Sequence, residues 1–267
     1  MSKTATRPGA TAITVVLASV GGLVLAGTGV SAAFAGAAQL AWVDESQQLD
    51  VGGVAALNLD VAANDLVVRF DDVSEARLET RGAFGSDWTF EVDGDELIVS
   101  SPDRGWGWFT GGGWWDGGSS ATLTLPQSMS GVDADLNLQA GSLHADGEFG
   151  DLALEMGAGS MTVDGSAEAL DAQVSAGNAE ISLDGVREAS YTVSAGWVES
   201  SLSTVPTSTS IDVSAGSLTL SVPDADYRVT RDTSAGSLES DLSESPTAAH
   251  SVDVKLSAGS VELRVAG

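Results

Sequence analysis

The sequence predicts an all-β chain: a β-solenoid of coils of about 18–20 residues with two short strands each, behind a separate N-terminal transmembrane helix. Three observations carry this. The dipeptide Ala-Gly recurs at Ala140-Gly141, Ala158-Gly159, Ala176-Gly177, Ala195-Gly196, Ala215-Gly216, Ala235-Gly236 and Ala258-Gly259, in steps of 18, 18, 19, 20, 20 and 23 residues. Each copy is flanked by residues that alternate between apolar and polar. The chain opens on a long stretch without charge. A fixed period of this size marks a stack of equivalent units rather than one closed globular core.

Residues 1–10 read as a cytoplasmic tail and residues 11–40 as a transmembrane anchor or signal segment. No charged side chain occurs from residue 9 to residue 40, and Ile13, Val15, Val16, Leu17, Val20, Leu23, Val24 and Leu25 supply apolar mass. About 20 such residues in a helix span a bilayer core. Lys3 and Arg7 precede the stretch and keep the N-terminus cytoplasmic. Cleavage is the alternative, because Ala33-Phe34-Ala35 fits a signal peptidase site, although the apolar stretch exceeds an ordinary signal core. Both routes export the chain beyond residue 40; cleavage near Ala35 gives a secreted form.

Residues 41–130 read as the first strands and N-terminal cap of the β domain. Leu57, Leu59, Val61 and Ala63 alternate, Asn64 intervenes, and Leu66, Val68 and Phe70 alternate with shifted parity. Asn tolerates the left-handed region and is expected to stand there in place of Gly. Asp93-Gly94 between Phe90-Val92 and Leu97-Val99 predicts a hairpin turn. Residues 121–126 read as a strand ending at Pro126.

Residues 131–267 are the regular repeats. Leu136, Leu138 and Ala140 alternate, then after Gly141 the parity shifts to Leu143 and Ala145. Ile211, Val213, Ala215 and Leu218, Leu220, Val222 repeat the pattern, as do Val254, Leu256, Ala258 and Val261, Leu263. One extra residue between two alternating runs makes a corner, and Gly supplies the positive φ that corners often use. Gly141, Gly159, Gly177, Gly196, Gly216, Gly236 and Gly259 are the expected structural corners. Asp146-Gly147, Asp164-Gly165 and Asp184-Gly185 are expected to turn the opposite corner, with Pro206, Pro223 and Pro246 in later connections. Eight coils about 4.8 Å apart would make a rod of roughly 40 Å. A sandwich of antiparallel hairpins is the competing arrangement.

The repeated VSAG and AGSL signatures, the opening LNLDVAANDLVVRF and the strand ATLTLP resemble a bacterial domain family of unknown function labelled "putative adhesin". The resemblance covers about residues 45–267. It implies a β-solenoid ectodomain at the cell surface behind one transmembrane helix, and it brings no catalytic residues.

All 38 Asp and Glu and nine of the 11 Lys and Arg follow residue 40, so the exported part carries −29. Such a field repels nucleic acid and anionic headgroups. It also keeps long β surfaces soluble and discourages edge pairing, and a saline habitat would select the same bias. The chain has no cysteine, which excludes thiolate zinc sites and cysteine nucleophiles and leaves stability to apolar burial.

Residues 104–118, RGWGWFTGGGWWDGG, break the repeat pattern. They hold Trp106, Trp108, Phe109, Trp114 and Trp115 with seven glycines, which predicts a loop. It is the candidate ligand or interface loop, either an aromatic platform for sugar or peptidoglycan or a wedge at the membrane interface. Sealing the end of the β stack is the structural alternative. Trp197, where other repeats carry Ser or Asn, reads as local packing.

Other chemistry is thin. His144 and His250 are the only histidines and lie far apart. No nucleophile-elbow pattern occurs. Asp133/Asp135 and Asp224/Asp226 sit at i, i+2 and suit at most weak Ca²⁺ binding, without an EF-hand or nonapeptide loop. The expectation is a non-catalytic surface module, structural or adhesive, with no cofactor. Its partner would be a cell-wall polymer or another membrane protein, not nucleic acid. The alternative is an extracytoplasmic accessory or sensor of envelope stress, working through membrane partners that pack on Gly21, Gly22, Gly27, Gly29 and Gly36.

Overall fold

Residues 43–82, 87–102 and 120–266 are described by a computed structural model. The expected membrane segment, residues 11–40, and the tryptophan-rich residues 104–118 lie outside the described residues. Among the described residues the chain is all-β, without an α-helix, and no helix is long and apolar enough to cross a membrane.

The first strands are β1 (Val43–Leu49), β2 (Ala56–Val61), β3 (Asn64–Asp71), β4 (Ala76–Gly82), β5 (Thr89–Asp93), β6 (Glu96–Ser100) and β7 (Ser120–Pro126). Then come β8 (Val132–Leu138), β9 (Gly141–Met156), β10 (Ser160–Ser166), β11 (Ala169–Val174), β12 (Asn178–Asp184), β13 (Glu188–Val193) and β14 (Trp197–Leu202). The last are β15 (Ser208–Val213), β16 (Ser217–Val222), β17 (Asp226–Thr233), β18 (Ser237–Ser240), β19 (Ser243–Glu244), β20 (His250–Leu256) and β21 (Ser260–Val265).

In the repeats, strands pair with their counterparts one repeat away rather than with the next strand along the chain, so two ladders grow in alternation. One ladder runs β1-β4-β7-β3-β9-β10-β12-β14-β16-β21-β18. The other runs β5-β6-β2-β8-β9-β11-β13-β15-β20-β17-β19. β9 belongs to both: its first half pairs with β3 and β10, its second with β8 and β11. Every pairing among β8–β21 is parallel, which excludes antiparallel hairpins there. Antiparallel pairs occur at one end only, where β4 lies between β1 and β7 and where β5 meets β6.

Register stacks like on like. Leu66, Leu143, Met161, Ala179, Val198, Leu218 and Val261 are aligned neighbours in the first ladder, and each is buried. A buried aliphatic side chain of Val or Leu size contributes about 1.5–3 kcal/mol. The positions between them, such as Thr162, Glu180, Glu199 and Thr219, alternate outward, which is the period-2 geometry of a strand.

Strand order departs from chain order at both ends. β6 and β7 lie outside β2 and β3, although they come later in the chain. β20 and β21 lie between β15/β16 and β17/β18, although they come last.

Several expected turns take another form. Asp146-Gly147 and Asp164-Gly165 are still paired within β9 and β10, just before the chain passes to the other ladder, rather than forming the turn themselves, and Gly165 has φ 127°. At Gly147 the Phe70 ring occupies the space a Cβ would need, and Phe70 packs edge-on against Phe149 at 5.8 Å. At Gly165 a Cβ would run into the Gly147 carbonyl. Both glycines are therefore required by close approach. Asp184-Gly185 does turn, with Gly185 at φ 81°. The β5–β6 hairpin turns on Gly94-Asp95, with Gly94 at φ 67° and Asp93 opposite Glu96. No non-glycine residue among those described has positive φ, so Asn64 is not left-handed, although it does align with Gly141.

Candidate functional site

The corner glycines form one column. A Cβ on Gly159 would meet the Gly141 carbonyl, one on Gly177 the Gly159 carbonyl, and one on Gly259 the Gly216 carbonyl. Gly236 stands in the same relation to Gly259, and Gly141 to Asn64. Backbone donors at the corners are passed along the same column: Trp197 N donates to Gly177 O at 2.9 Å and Ser217 N to Gly196 O at 2.9 Å. Gly141, Gly159, Gly177, Gly236 and Gly259 have φ between 94° and 104°. Gly196 and Gly216 depart from expectation, since neither is left-handed. What excludes a side chain there is space: a Cβ on Gly196 would lie 2.6 Å from Val174 Cγ1, and one on Gly216 2.7 Å from Val193 Cγ1.

Trp197 follows Gly196 at this altered corner. Its register partners are Asn178 on one side and Ser217 on the other. The indole is half-buried and borders a shallow open groove of about 460 Å³, lined by the corners of three repeats. The sequence offers no sign of this groove, because the lateral neighbours of Trp197 lie 19 and 20 residues away and only the register brings them together.

Trp106, Trp108, Phe109, Trp114 and Trp115 lie outside the described residues. The residues that flank them show where the segment leaves and rejoins the ladders. It links β6 to β7, the strands stacked on β2 and β3, at the position where other repeats place the Ala-Gly corner. Ser101 fixes the near side: its N–H donates to Asp60 O at 2.8 Å, and its Oγ accepts from Ala62 N at 2.7 Å.

The remaining polar candidates do structural work or stand apart. His250 Nδ1 lies 2.8 Å from Pro206 O, whereas His144 faces outward beside Val67 and Thr162. Asp133 Oδ1 accepts from Asp151 N at 2.9 Å, at an irregularity between β8 and β9. Asp135 is half-buried, and burial followed by the nearby charges of Glu155, Glu96 and Asp60 raises its pKa. Burial and the Asp224 charge push the Tyr227 phenol up to about 12. Asp184 is held below the usual carboxylate range by Thr204, Ser203 and the Gly185 N–H. No group of three or more His, Cys, Asp or Glu able to hold a metal ion occurs among the described residues. Arg187, Arg231, Lys255 and Arg264 each meet a carboxylate, of Glu168, Glu244, Asp212 and Glu262.

No protein-family model and no curated relative matches this chain. Solved structures similar to it include a "putative cell adhesion protein" from Clostridium sporogenes, at 12% identity and TM-score 0.39, covering 85% of this chain and 100% of its own. A "putative adhesin" from Bacteroides fragilis is 14% identical with TM-score 0.40, covering 83% and 97%. Another from Parabacteroides distasonis is 10% identical with TM-score 0.44, covering 82% and 97%. At such scores these likenesses carry no argument about what this chain does.

Proposed function

We propose that this chain is an acidic β-solenoid held at the cell surface by its N-terminal segment, a structural or adhesive module without catalysis. The alternating parallel ladders are the observation that carries it. They have the pairing that a two-strand coil generates when it stacks on the next, and the corner glycines bring successive backbones too close for any side chain. A scaffold of this kind presents long outer faces and spends its core on stacking.

Strand order supports a tethered end. β1, β4 and β7 end one ladder and β5 and β6 end the other, so β1 and the flanks of residues 104–118 share one end of the stack. β1 is also the first strand after residues 11–40, the proposed anchor. The strands that flank residues 104–118, β6 and β7, lie at the same end of the stack as β1, and indoles in such a segment would suit a membrane interface. Protease added to intact cells should digest the β domain and spare residues 1–10, while the uncut protein sediments with membranes. Full protection of the β domain in intact cells would overturn the surface reading.

A further inference from the structure

The first outward position after each corner is filled by Asp65, Ser142, Ser160, Asn178, Ser217, Ser260 or Ser237, and in one repeat by Trp197. That position lies outside the core, so core packing does not call for an indole. The ring borders a groove also lined by Gly177, Gly196 and Gly216, none of which has room for a Cβ. Asn178 and Ser217 border the indole one repeat to either side, so the groove runs about 10 Å along the stack. None of the lining residues is charged, on a part of the chain carrying 38 acidic side chains.

We infer that this groove binds a neutral saccharide, one pyranose ring stacking on the Trp197 face while its hydroxyls meet the Asn178 amide and the Ser217 hydroxyl. The chemistry selects among ligands. A lipid tail needs apolar walls, and this groove has one ring and no second wall. An anionic polymer meets the field of the whole domain. A metal ion finds no carboxylate in the lining. A sugar offers a C–H face to an aromatic ring and hydroxyls at its edge, which is the pairing this surface provides. The open groove admits a chain of sugars along the stack. This deepens the adhesive reading by naming a ligand class, and it rests on that reading only for its use to the cell.

The test uses the full chain in a zwitterionic detergent, with chitotetraose and cellotetraose as neutral probes and polygalacturonate as the anionic comparator. Saturation-transfer difference NMR should show saturable transfer to a neutral sugar and none to the comparator. Trp197→Ala should weaken binding about tenfold or more, and Trp197→Phe about threefold, as expected for a stacking face. Asn178→Asp should also weaken it. Trp197→Ala loses part of a half-buried ring, so binding is compared well below its melting transition, with an unchanged circular dichroism spectrum as the check on folding. Absence of transfer to both neutral sugars at about 10 mM would overturn the inference, as would equal transfer in Trp197→Ala. A chain that binds sugar but resists protease on intact cells overturns the surface reading alone. An exposed chain blind to both sugars overturns this one alone.

Discussion

The Tyr191 hydroxyl lies 2.7 Å from Ser200 Oγ, and both residues are buried between the two ladders. Tyr191 stands in a column with Ala172 and Ile211, and Ser200 in one with Ile181 and Leu220. The bulky ring of one column therefore meets a small side chain of the other, and the hydroxyls satisfy each other. Burial raises the phenol pKa, so the pair stays neutral.

Breaking that pair from either side strands the hydroxyl left behind. Ser200→Ala leaves the phenol unpartnered in the core and should cost about 1–3 kcal/mol in chemical denaturation. Tyr191→Phe strands the serine and should cost about 1 kcal/mol or more. The double variant should lose clearly less than the sum of the singles. Additive losses would mean that the hydrogen bond contributes nothing.

Gly216→Val should destabilise by about 1–3 kcal/mol or more, from collision with Val193 and the Gly196 backbone. Gly131 provides the contrast, with φ at 83° and no atom within 4 Å of the place a Cβ would take. There Gly131→Ala should cost only the strain of the left-handed region, about 1–2 kcal/mol. Wild-type melting behaviour in Gly216→Val would show that the corner can open.

Gly147→Ala should collide with the Phe70 ring and cost about 1–3 kcal/mol. Phe70→Leu in the same chain should recover part of this by clearing the ring. A double variant whose loss equals or exceeds the sum of the two single losses would contradict the collision.

Asp135 and Asp184 should respond to pH with opposite signs. A raised folded-state pKa means that the Asp135 contribution is full below its unfolded value of 3.8 and lost as pH rises through the folded one. Asp135→Asn should then stabilise at neutral pH, by about 0.5 kcal/mol or less given its partial exposure, and have no such effect near pH 3. Asp184 has a lowered pKa, so its contribution is present above 3.8 and lost as pH falls through the folded value. Asp184→Asn should lower stability at neutral pH and converge on wild type in acid. Parallel profiles for the two variants would sink both assignments.

The repeats are legible in the sequence because alternation and Ala-Gly spacing are local signals. Pairing partners are not. Ser217 aligns with Ser260 rather than Ser237, and only the longer step of 23 residues before Ala258 hints at it. Gly147 misleads because Asp-Gly signals a turn wherever it occurs, while Phe70, 77 positions earlier, supplies the actual demand for a missing side chain. Trp197 stands out as an oddity, but its groove depends on two neighbours that only register assembles.

The place of β20 and β21 between β15/β16 and β17/β18 bears on how the chain is made. During synthesis, residues 234–237 emerge before residues 257–260, and both read Ser-Ala-Gly-Ser. The edge left by Ser217 thus meets a wrong partner with the right motif first. Native order requires that early docking to be refused or undone when the later segment arrives. Refolding should accordingly show a slow phase that disappears when residues 223–249 are deleted, since one claimant to the edge is then gone. Repetition that makes stacking easy makes the order of arrival matter.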